Sequence, residues 1–246
     1  RLRFWTDPFE INVSNEFHFF TPSDSVQDVT LFAKYTLRAD EMFLNRMIGG
    51  TFEGSNDPDF REKEVLYLIN EKPKRLQTVV QSYSSKSYRY VRYIGPKDSH
   101  CNIAEAAFYT PNDTASLKGK VIGTPGCFQK DGSHEYTNVF DGDVTTSFDY
   151  IESSGGWSGL DLGTPKQIGK IVYTPRNYDN YVCHGDDYEL FYCSQDKWKS
   201  LGKQTSYADS LVYKNVPINV LLLLKNHDRG IQERIFTYQE RSQVWK

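Results

Sequence analysis

The sequence predicts an all-β protein, two tandem β-sandwich modules in one chain of 246 residues. Three observations predict it. Aromatic residues make up 15% of the chain, with 17 Tyr and 15 Phe against two Met, and flat rings pack well on pleated surfaces. Short strand-like stretches recur between turn signals while helical periodicity stays weak. Motifs of the first half return in the second half in the same order, as expected of two copies of one module.

Taken in order, the N-terminal stretch carries the weakest signal. Glu10 to Phe20 alternates loosely and supplies one or two strands, and Thr21 to Gln27 (TPSDSVQ) is a turn cluster. Strands are then expected at Val29 to Leu37, Gly50 to Glu53, Glu64 to Ile69, Leu76 to Tyr83, Tyr88 to Ile94 and Ile103 to Tyr109, with a helical turn near Asp40 to Arg46. Tyr35-Thr36-Leu37-Arg38 is answered by Tyr173-Thr174-Pro175-Arg176, and Phe60 by Trp198 at the same offset. Ile103, Glu105 and Phe108 are answered by Ile231, Glu233 and Phe236, and Thr21-Pro22 by Thr164-Pro165. The polar stretch Pro111 to Lys118 (PNDTASLK) has linker composition, so the modules are expected at 1–111 and 118–246.

Composition excludes several classes. A net charge of −3 without a basic block argues against nucleic acid. The longest apolar run, Val220 to Leu224, is too short to cross a membrane. The chain starts at Arg1 without a Met, so a fragment or processed product is expected, with any signal or lipid anchor upstream. Cys101, Cys127, Cys183 and Cys193 form no C-x-x-C pair and the histidines are scattered, which argues against zinc. They read as four buried thiols, with a Cys183–Cys193 bridge as the alternative. Asn12-Val13-Ser14 and Asn112-Asp113-Thr114 match the N-glycosylation pattern.

The richest stretch is Asn138 to Gly163. Asp141-Gly142-Asp143 with Thr146 crowds two carboxylates and a hydroxyl around a glycine. That is an oxygen cage for a hard cation such as calcium, or a turn whose side chains cap their own backbone. Farther on, Arg176, Asn177, Tyr178, Asn180 and Tyr181 place planar donors, amides and two rings together, the chemistry that grips a sugar. The bland alternative is that Arg176 packs under its loop. Phe128 to Tyr136, Tyr150 to Gly156 and Lys225 to Gly230 are further loops suited to a ligand. Trp157 and Trp198 read as core residues. No nucleophile–base pair, G-x-S-x-G elbow or phosphate-cradling glycine loop is present. Asp186, Asp187 and Glu189 read as a solvated acidic loop before a glycosidase pair.

At these residues the chain resembles a known family. GWSGLDLG (Gly156 to Gly163), the strand Ile168 to Tyr173 and the Pro175-Arg176-Asn177 turn resemble the discoidin, or coagulation-factor type C, module, a galactose-binding-like jelly roll. GGTFEGSNDPDF (Gly49 to Phe60) and YRYVRYIGPKDSHCNIAEAAFY (Tyr88 to Tyr109) resemble its later part. The tandem is similar to the C-terminal region of surface lipoproteins from gut Bacteroidetes, in which such modules follow a transglutaminase-like or glycan-acting domain. The resemblance implies a non-catalytic carbohydrate-binding tandem on the extracellular, outer-membrane or periplasmic side, with a glycan and an upstream catalytic domain as partners. The alternative it leaves is a set of structural modules that orient that domain without binding sugar. It also implies a structural calcium in the second module, held by Asp141, Asp143, Thr146 and a late-strand glutamate, Glu233. The first copy lacks the FDGD-x-x-T segment, so no metal is expected at Glu105.

Overall fold

The computed structural model describes residues 6–36, 38–229 and 233–246. In chain order its elements begin with β1 (Phe9–Ile11), β2 (Phe17–Phe19), β3 (Val26–Leu31) and α1 (Arg38–Arg46). There follow β4 (Thr51–Ser55), β5 (Lys63–Leu68), β6 (Thr78–Gln81), β7 (Ser87–Ile94), β8 (Ile103–Tyr109), β9 (Lys120–Gly123) and a 3₁₀ turn, Tyr136–Phe140. The rest are β10 (Trp157–Gln167), β11 (Lys170–Pro175), β12 (Asp187–Ser194), β13 (Lys197–Thr205), β14 (Leu211–Pro217), β15 (Leu222–Asn226), β16 (Ile235–Gln239) and β17 (Ser242–Trp245). The fold is all-β and antiparallel throughout, as the sequence predicts. β4 to β8 fall within a few residues of the expected strands, and α1 fills the expected helical turn.

The chain divides into two compact units, Leu37–Asp179 and Arg1–Thr36 with Asn180–Lys246. In the first, a five-stranded sheet, β5-β4-β7-β10-β9, faces a three-stranded sheet, β6-β11-β8. Their inner faces share one core: Phe52, Val91, Tyr93 and Leu160 meet Phe108, Ile171 and Tyr173. The Phe52 ring lies edge-on to Phe108 at 5.9 Å and tilted to Tyr173 at 5.4 Å, a cluster that joins the two layers. Phe43 and Leu44 of α1 and Met47 just beyond its end are buried. Gly159 sits where β10 crosses β7, and a Cβ there would lie 2.2 Å from the carbonyl of Val91, so only glycine permits the approach.

In the second unit, the sheet β13-β12-β15-β16-β17 faces the pair β14-β3. Val29, Leu31, Leu211 and Tyr213 of the pair pack with Tyr188, Leu190, Leu222, Leu224 and Phe236 of the sheet. β1 and β2 form a separate hairpin with Phe9 opposite Phe19.

The expected modules, 1–111 and 118–246, need correction. β10 pairs with both β7 and β9, and β11 with β8, so strands from either side of 112–118 share sheets. The stretch is a chain reversal. Asp113 Oδ1 accepts the amide of Ala115 at 3.1 Å, and the Leu117 amide donates to Phe108 O at 2.7 Å. Polar turn composition looks alike in a tight reversal and in a linker. The repeat correspondences also land in unlike places. Tyr173 lies in β11 and Glu105 in β8, whereas Tyr35 and Glu233 lie outside strands. Ile231 lies outside the described residues.

Candidate functional site

Asp141-Gly142-Asp143 follows the 3₁₀ turn and folds onto itself. Asp141 accepts the Asp143 amide at 2.8 Å and the Thr146 hydroxyl at 2.8 Å. Asp143 accepts the Thr145 amide and hydroxyl at 2.9 and 2.6 Å. Gly142 supplies the left-handed residue, φ 87°, that the reversal needs. The late-strand glutamate that faces this turn is Glu105 of β8, whose Oε1 accepts the Gly142 amide at 2.9 Å. This corrects the expectation for Glu233, which belongs to the other unit, just before β16. Burial first, then a hydrogen bond with Asp141 and the charges of Asp141 and Asp143, push the Glu105 carboxyl up to about 8. Burial beside other carboxyls thus favours the protonated form of Glu105, one of the two ways an acidic turn tolerates a buried carboxylate.

As a test of calcium, the donors are oxygens throughout, the class that ion takes. The carboxylates are spent on the turn's own N–H and O–H groups, however. Among the described residues no three His, Cys, Asp or Glu side chains gather as metal ligands. The arrangement as it stands does not fit a calcium cage.

Beside this turn, along β8, runs a groove of about 390 Å³. It opens at the edge of the sandwich, where β8 of one sheet lies near β9 of the other. Ala106, Leu160, Val121 and Phe140 give it an apolar floor, and Glu105 and Thr174 a polar end. All of these except Phe140 are carried by strands, so the lining is held by the sheets.

The expected sugar-gripping segment does not form an open site. Arg176 is 14% exposed, ion-paired to Asp149, with its guanidinium 4.5 Å from the centre of the Phe43 ring. Asn177 is buried and donates to the carbonyls of Val144 and Pro175 at 2.8 and 3.1 Å. Tyr178 is 44% exposed and tilted against Phe43. Asn180 and Tyr181 are buried in the other unit, where the Asn180 carbonyl accepts the Lys34 amide at 2.9 Å and Tyr181 bridges to Ala33. The segment fails as a site because its planar donors are used on carboxylate and carbonyl groups of the fold itself.

Other candidates are also tied down. Asp186 is bonded to Arg229 and Asn226, Asp187 to Lys203 and Thr205, and Glu189 to His227 and Ser200. Trp157 packs against Phe60, but Trp198, expected in the core, is 42% exposed on β13. The cysteines are free thiols, three of them buried and Cys193 partly so, with no Cys183–Cys193 bridge. At one end of the Leu37–Asp179 unit, Phe128 is exposed and braced edge-on by His100 at 5.9 Å. Asp98, His100 and Cys101 beside it hold positive φ angles of 60°, 56° and 55°, a local strain of the kind found around binding loops.

Sequence reasoning missed the groove and the partner of the acidic turn. The signal was present in Glu105, a lone carboxylate in the otherwise apolar strand IAEAAFY. Compared with family models, with curated proteins and with solved structures, the chain matches none.

Proposed function

We propose that the protein is a non-catalytic carbohydrate-binding protein of the extracellular or cell-surface side. The observation that carries this reading is the groove beside β8, half apolar and half polar on rigid strands, which suits the two faces of a pyranose. The acidic side chains considered for chemistry are each engaged in a structural bond, which also supports binding over turnover. A glycan array probed with the whole chain tests it. Binding of at least one neutral glycan without its cleavage is expected, and an array without binding overturns the reading.

The β1–β2 hairpin favours a second reading, a structural or interaction role orienting another domain. Phe9, Ile11, Phe17 and Phe19 are exposed, with Phe9 5.2 Å from Phe17 and 5.4 Å from Phe19. The polar face is pinned instead, by His18 to Asn219 at 3.1 Å and by Glu10 to Lys246 at 2.7 Å. An outward apolar face is the surface a structural role needs.

A further inference from the structure

Main-chain groups along β8 alternate in direction. The Gly169 amide donates to Tyr109 O at 2.9 Å, so Glu105, Ala107 and Tyr109 direct their N–H and C=O toward β11. Phe108 and Ala106 direct theirs to the free edge, where Phe108 O accepts the Leu117 amide at 2.7 Å. One step along, Ala106 has the same orientation and is only 4% exposed. Among the described residues no main-chain group meets its N–H or C=O on that side. Buried backbone groups almost always have a partner, and what lies in front of this pair is the groove.

The shape of the gap defines the complement. The N–H and C=O of one extended residue point the same way and lie side by side. A single amide cannot meet both, because its own N–H and C=O point oppositely, and an added strand, whose residue could, finds the edge already taken on both sides by the Leu117 amide at Phe108 O and the Phe148 amide at Ile103 O. Two neighbouring hydroxyls can, one accepting from the N–H and the other donating to the C=O. The free stretch of edge is therefore short, lying between Ile103 and Phe108. Leu160, Val121 and Phe140 offer contact to the C–H face of such a ring, and the Thr174 hydroxyl a further polar contact. We infer that the groove holds a pyranose by a vicinal diol bonded to the main chain of Ala106. The inference rests on the glycan reading and names its site and ligand chemistry.

The test uses the whole chain labelled with ¹⁵N-alanine and titrated with D-mannose and D-galactose. The Ala106 amide resonance is expected to move with at least one of them. Ala107→Trp, on the outward face of β8 lining the groove, is expected to weaken that binding at least tenfold; if this variant fails to fold, the wild-type shift alone decides. If either sugar binds while Ala106 stays still and Ala107→Trp has no effect, the inference is overturned and the glycan reading survives. Loss of binding in Phe128→Ala would then place the site at the loop end. If neither sugar binds but the array finds another glycan, the same two readouts with that glycan decide. An array without any binding overturns both.

Discussion

Glu105 holds its proton to about 8 in the folded chain, against 4.5 for an ordinary glutamate. Between these values the folded state binds more protons than the unfolded one. Its contribution to stability is therefore full below about 4.5, falls as pH rises, and is lost above about 8. Glu105→Gln, neutral at every pH, should flatten the melting temperature over that window, measured by thermal denaturation of both proteins. Arg176→Ala should act on the fold: it strips a buried Asp149 of its cation and costs about 3 kcal/mol, read from the denaturant midpoint. At this scale the sequence was legible in chemistry and illegible in address. Asn177 and Arg176 have the side chains a sugar site needs, and the same side chains satisfy buried carbonyls and carboxylates. Only placement separates the two uses.

Strands were the most legible level. IAEAAFY and YRYVRYI are short aromatic and aliphatic runs bounded by turn signals, which mark a strand before any pairing is known. Pairing is another matter, because alternation fixes which face a strand buries and leaves its neighbour open. The repeat was misleading for this reason: two strands with similar patterns are built for similar half-buried surfaces, whichever sheet they join. β10 shows what pairing adds, since Gly159 reads in sequence as a weak spot in a strand and in the sheet as the point of closest approach. Gly159→Val should leave the chain insoluble or destabilised by more than about 4 kcal/mol, seen as loss of the cooperative melt. A cost below about 1 kcal/mol, within the range of ordinary substitutions, would show that the crossing is looser than described.

On the scale of the molecule, the sandwich architecture was legible and its connectivity was not. Residues 37–179 carry both sheets and the core of their unit, so expressed alone they should fold and melt cooperatively. Residues 118–246 should not, because β10 and β11 lose β7 and β8, their partners in the two sheets. Circular dichroism of the two pieces checks this, and a folded 118–246 piece would restore the linker at Pro111 to Lys118. The limits of sequence here are physical, since nothing local to β3 announces that its partner is β14.

That partnership sets an order of events during synthesis. β3 leaves the ribosome before residues 37–179, yet the strand it pairs with is made only after the whole of that stretch has been translated. The intervening unit can complete its own sheets first, while the apolar side chains of β3, Val29 and Leu31, wait uncovered. Pausing the ribosome once residue 179 has emerged would capture a folded sandwich carrying an unpaired N-terminal strand. In that interval the nascent chain has its greatest need of a chaperone.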